Sequence, residues 1–199
     1  MDFFPADPPS DDELVFAPEP ERTPWLEPPG DELPASFAVS EVIGRGDDVV
    51  VALASARVFS DGVELLIERH LRRGSRDHRQ WRAAQTEFSG HGGGGASGED
   101  RLRWGMALDD GERIFEDRSF GAPVTDPSNG HTLRVIRGGG GGGSLKYLMR
   151  ESLWLWPLPP EGPLELVLQW PAFGIGESRV IVDGGQLRAL AASVRPLWG

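Results

Sequence analysis

The sequence predicts an all-β chain, an antiparallel β-sandwich of about eight strands ending in a short C-terminal helix. Three observations predict it. Val49–Phe59 is rich in β-branched and small residues and meets the turn Ser60-Asp61-Gly62. The next run alternates, with Val63, Leu65, Ile67 and Leu71 on one face and Glu64, Glu68, His70 and Arg72 on the other. Strand, Asp-Gly turn and alternating strand is a strong local hairpin signal. The same logic returns at Leu102, Trp104, Met106 and Leu108, which alternate with Arg103 and Gly105 before Asp109-Asp110-Gly111 turns the chain into Arg113–Glu116. Finally, Lys146–Trp156 is a strand stopped by the proline-rich 157–163, after which Leu164, Leu166, Leu168 and Trp170 share one face. Short strands joined by Gly/Pro turns fit a sandwich better than a parallel α/β sheet, with a barrel as the alternative.

The remaining elements follow from local chemistry. Thr132–Arg137 reads as a short strand and Glu177–Asp183 as another. Asp183 is placed to cap a helix, with Gln186 three residues on. Leu187, Leu190, Ala191 and Val194 then form one apolar helical stripe, and Pro196 ends it. The glycine tracts at 91–98 and 138–143 read as flexible loops. The second runs Gly143-Ser144-Leu145-Lys146 into a strand, which fails the spacing and context of a phosphate-binding loop.

Composition divides the 199 residues in two. The net charge of −11 is concentrated in residues 1–35, which hold ten acidic side chains, one basic one (Arg22) and nine of the 17 prolines. Proline denies the backbone a donor and like charges repel, so 1–35 is expected to be an acidic, disordered arm ahead of one sandwich domain at 36–199. Phe3, Phe4, Phe16 and Trp25 are scattered through that arm. It reads either as a solubilising tail or as a peptide that docks on a partner or on this domain's own sheet. The absence of cysteine excludes disulfides, thiolate metal sites and cysteine nucleophiles. The opening residues lack the basic and apolar regions of a secretory signal, and no apolar stretch is long enough to span a bilayer. The expectation is a cytoplasmic protein with no membrane partner.

Candidate chemistry is sparse. His70, His78, His91 and His131 lack zinc spacing, and no serine sits in a Gly-x-Ser-x-Gly elbow. Asp47-Asp48 and Asp109-Asp110 fall at turns, where Asp bonds the local backbone. No cofactor, metal or catalytic residue is expected. The basic run Arg69, Arg72, Arg73, Arg76, Arg79 and Arg82 is a candidate anion or nucleic-acid patch, with His78 and Trp81 for stacking, or a counter-surface for the acidic arm, or a solvated loop. Residues 36–199 carry 21 acidic and 19 basic side chains, a balance that weighs against nucleic acid. Trp154 and Trp156 are two apart on one strand and share a face. Buried, they are core or an oligomer interface; exposed, they are a platform for sugar rings or a partner.

The block Leu153–Asp183, with its WPLPPEGPL run and following QWP, resembles a family of uncharacterised actinobacterial proteins. Arg57–Val63 (RVFSDGV), Arg103-Trp104-Gly105 and a glycine-rich stretch before the Trp-Pro-Leu-Pro-Pro segment are similar too, so the resemblance covers 48–195. It implies a shared fold unit and no chemistry.

The function expected on these grounds is a non-enzymatic interaction or assembly module, acting through self-association or a protein partner. The alternatives are a carbohydrate- or small-ligand-binding sandwich enzyme, and anion or nucleic-acid binding through Arg69–Arg82.

Overall fold

The structure is a computed structural model that describes residues 21–90, 100–116, 127 and 130–198. The chain is an antiparallel β-sandwich with a C-terminal helix. Its elements are β1 (Glu32–Leu33), β2 (Ala35–Arg45), β3 (Val49–Val58), β4 (Val63–Arg72), α1 (His78–Ser89), β5 (Arg103–Ala107), β6 (Arg113–Phe115), β7 (Thr132–Gly142), β8 (Lys146–Trp156), β9 (Pro163–Trp170), β10 (Ile175–Asp183), α2 (Gly184–Ala191) and β11 (Arg195–Pro196). One sheet has the order β2-β3-β4-β8-β7 and the other β10-β9-β5-β6, while β1 and β11 form a separate ribbon.

The core lies between the two larger sheets. Val51, Leu53, Leu65, Ile67 and Leu153 from the first meet Trp104, Met106, Leu166 and Leu168 from the second, all buried in one cluster. Each set comes from every second residue of its strand, as the pleat requires. Helix α2 begins where the sequence places it: the Asp183 carboxylate accepts from Gln186 N–H, and Leu187 is fully buried.

Helix α1 was not expected. Asp77 and Gln80 form a reciprocal capping box, Trp81 and Phe88 turn inward, and Gly90 in the left-handed region closes the end. The expected glycine loop at 138–143 is also corrected. Gly138–Gly142 continue β7 and pair one for one with β8, from Gly138 opposite Glu151 to Gly142 opposite Tyr147. A Cβ at Gly140 would lie 2.4 Å from the Leu148 carbonyl, and one at Gly142 2.2 Å from that of Lys146. Only glycine fits so close to the neighbouring backbone. The tract at 91–98 lies outside the described residues.

Gly62 has a different reason from the one a turn suggests. It is not at positive φ; a Cβ there would sit 2.4 Å from the Trp154 ring. The hairpin turn is pressed against a tryptophan, and glycine leaves room for it.

Candidate functional site

The basic run does not form one surface. Strand alternation sends Arg69 inward beside Ile67 and Leu71, where it is buried. Its guanidinium donates to the Phe88 carbonyl at 2.9 Å and to Glu151 at 3.0 Å, and lies 5.2 and 5.1 Å from the Phe88 and Trp170 ring centres. Trp104 Nε1–H donates to the other Glu151 oxygen at 3.2 Å. This buried ion pair, fully hydrogen-bonded at the carboxylate, ties α1 and both sheets together.

The neighbouring arginines serve the turns. Arg72 and Arg76 donate to the two Asp48 oxygens at 2.8 and 2.6 Å, and Arg73 donates to the Arg76 carbonyl at 2.7 Å. The Arg72 and Arg76 hydrogen bonds hold the Asp48 carboxyl below the usual carboxylate range. Arg79 and Arg82 are exposed on α1. The six side chains therefore divide among the core, a turn clamp and a helix surface. The expected patch is not assembled.

Trp154 and Trp156 share the outer face of the five-stranded sheet, as their spacing predicts. They are not an exposed platform, and Trp154 is not part of the core between the sheets. Residues 22–32, within the stretch expected to be disordered, cover them. Trp154 is fully buried and its Nε1–H donates to the Pro24 carbonyl at 2.8 Å; Trp25 packs on Trp156 with ring centres 6.0 Å apart. Arg22 pairs with Asp61, and the Glu32 carboxylate accepts from Ser60 N–H at 2.9 Å. Burial raises the Asp61 carboxyl above its usual range despite the nearby Arg22. Beneath the segment, Glu64 is fully buried and pairs with Arg57. Residues 1–20 lie outside the described residues.

Away from the tryptophans, the same face is open. A hollow of about 480 Å³ lies over Ser55, Leu66, Glu68, Gly139, Arg150 and Ser152. A second, of about 590 Å³, lies over Val50, His70, Gly141, Leu148, Arg45 and Lys146. The floor is low because Gly139 and Gly141 carry no side chain on this side and Ser55 and Ser152 are small. Between the hollows, Glu68 accepts from Arg150 Nε–H at 2.9 Å and meets the His70 ring at 3.2 Å; these partners, Arg150 first, keep its carboxyl below the usual range. Among the described residues, Arg45 and Lys146 have no ion-pair partner, and both are exposed at the rim.

The sheet ends in two unlike edges. At β2, pairing with β3 is irregular between Ala38 and Glu41 and again between Val42 and Gly44, Ser40 has φ 62°, and β10 and α2 pack alongside. At β7, Gly138–Gly142 are exposed and in regular register on one side only. Among the described residues, no backbone group of this tract bonds outward across the edge. Sequence reading took this tract for a loop and so missed it as an edge.

No three His, Asp or Glu side chains among the described residues converge as a metal site, and no described helix is long and apolar enough to cross a membrane. Comparison with protein-family models, with curated proteins and with solved structures finds no match for this chain.

Proposed function

We propose that this protein is a non-enzymatic assembly module that self-associates by adding strands at the β7 edge. The supporting observation is the exposed, regular, side-chain-free run Gly138–Gly142. Natural edges are blunted by charge, proline, bulges or a covering element. Among the described residues none of these falls on Gly138–Gly142, the irregularity of β7 lying before it between Val135 and Arg137, whereas β2 has two irregularities and a covering. Gly139 and Gly141 strengthen the reading. A Cβ at either would meet nothing within 4 Å, so the fold itself does not require glycine there. Bare backbone at those positions clears the approach for another strand. A second copy related by a two-fold axis would lay its β7 antiparallel on the first, joining two five-stranded sheets.

Light scattering over a concentration series tests this. The chain is expected to rise from its 21.7 kDa monomer mass towards a dimer. A double variant, Gly139→Lys with Gly141→Lys, is expected to stay monomeric with unchanged circular dichroism, since lysine blunts an edge. A wild-type chain that remains monomeric at every concentration would overturn the reading. The geometry gives no comparable support to sugar stacking, because the tryptophan pair is already covered by Pro24 and Trp25.

A further inference from the structure

The outer face of the five-stranded sheet is occupied at one end and open at the other. We infer that the open end is the binding site for residues 1–20 of the same chain. The inference goes beyond self-association, since it concerns the face of the sheet and not its edge.

Continuity is the first argument. Arg22, Pro24 and Trp25 already sit on this face, so the described chain begins beside it. Their mode of seating shows what the face accepts: an aromatic ring on an apolar surface, a backbone carbonyl on a side-chain donor, and an ion pair at the margin.

Reach is the second. From Trp154 to Lys146 the face runs eight residues along β8, roughly 27 Å at strand rise. Twenty residues of extended chain span up to about 66 Å. The segment is long enough to turn at Asp61 and run the length of both hollows.

Charge is the third. Residues 1–20 hold six carboxylates, Asp2, Asp7, Asp11, Asp12, Glu13 and Glu19, and no basic side chain. Arg45 and Lys146 stand at the open rim without an ion-pair partner among the described residues. The other basic groups on the hollows are already committed, Arg72 to Asp48 and Arg150 with His70 to Glu68, and the Asp47 carboxylate lines the larger hollow beside Arg45. Phe3, Phe4 and Phe16 supply rings for a floor made by Val50, Leu66 and Leu148. Carboxylates at a basic rim and apolar rings over a low floor are complementary to what the face offers. A tail bound in this way would compete with any other acidic partner for the face.

The chain has no cysteine, so one introduced probe is unambiguous. A nitroxide on Ser10→Cys of the full chain is read by paramagnetic broadening of backbone amides. The expected result is loss of most signal at Gly139, Gly141 and Leu148, with the outer face of β9 and β10 unaffected. Raised salt and the pair Arg45→Glu with Lys146→Glu should each restore the signal. Mixing spin-labelled, isotope-free protein with unlabelled, isotope-enriched protein should give no broadening at these amides. Uniform broadening, broadening elsewhere, or broadening that survives charge reversal would overturn the inference. Broadening at these amides in the mixed sample would equally overturn it, assigning the face to the tail of a second copy. All samples are kept at a concentration where light scattering gives the 21.7 kDa monomer mass, because an edge-paired partner would bring its own Gly139 and Gly141 within reach of the label.

Discussion

The two edges of the five-stranded sheet are made from opposite materials. β2 (ASFAVSEVIGR) carries a side chain at every position but Gly44, bends at two irregularities, and lies close to β10 at Gly44 and Gly46. A Cβ at Gly46 would fall 2.1 Å from the Phe173 carbonyl, so this edge is tucked against the turn that precedes β10. β7 ends in five glycines in straight register and exposes its backbone. An edge that bends away and is covered resists strand addition; a flat, bare one invites it. Among the described residues, the same sheet therefore has one covered side and one open side.

The comparison can be broken within β7 itself. Gly140→Val is expected to cost about 1–3 kcal/mol, because its side chain must displace the Leu148 backbone and Met149. Gly141→Lys faces open space, so its effect on urea unfolding should stay within about 0.5 kcal/mol while self-association falls, since lysine blunts an edge. Equal losses for the two would mean that the alternation of crowded and open glycines is wrong.

A smaller effect sits at the foot of β2. The Arg72 hydrogen bond, followed by that of Arg76, lowers the folded-state pKa of Asp48. A carboxyl lowered on folding stabilises the fold above its unfolded pKa and loses that contribution as pH falls through the folded value. Asp48→Asn should therefore be less stable than wild type at neutral pH, by up to about 1 kcal/mol for this partly exposed clamp. The gap should close on acidification. Asp61 behaves with the opposite sign, because burial raises its pKa. Its contribution is present below the unfolded pKa and is lost as pH rises through the folded one. Asp61→Asn is thus expected to be neutral or mildly stabilising at pH 7, with its difference from wild type shrinking at lower pH. Urea titrations of both variants across the acid range check the two signs. The smallest effect is at Ser40, whose φ of 62° favours glycine. Ser40→Gly should stabilise by a few tenths of a kcal/mol, the relief of strain being offset by greater freedom in the unfolded chain.

Much of the sandwich was legible in the sequence where alternation was clean. Lys146–Trp156 and the Asp183 cap lie where they were read. β2 escaped because its irregularities break the period of two on which strand reading depends. α1 did carry a signal: Asp77 and Gln80 have capping-box spacing, and Trp81, Ala84 and Phe88 fall at i, i+3, i+7. A run of arginines drew attention to charge and away from that stripe. The same alternation that placed Ile67 and Leu71 inside also places Arg69 inside, so the division of the arginine run was readable from parity alone. The glycine edge was not. Composition alone makes a six-glycine tract look like a loop, and its pairing is imposed by the well-specified β8 beside it. Docking of the arm on this domain's own sheet is one reading of its composition. Which residues dock was hidden, since the partners of the stretch from Arg22 to Glu32, namely Asp61, Trp154 and Ser60, are distant in sequence.

The most direct test of the account is amide hydrogen exchange measured at increasing protein concentration. The account predicts that the outward-pointing amides of Gly138–Gly142 become slower to exchange as concentration rises, while those of β2 do not change. Exchange at β7 that stays equally fast at every concentration, or protection that grows at β2 instead, would contradict it.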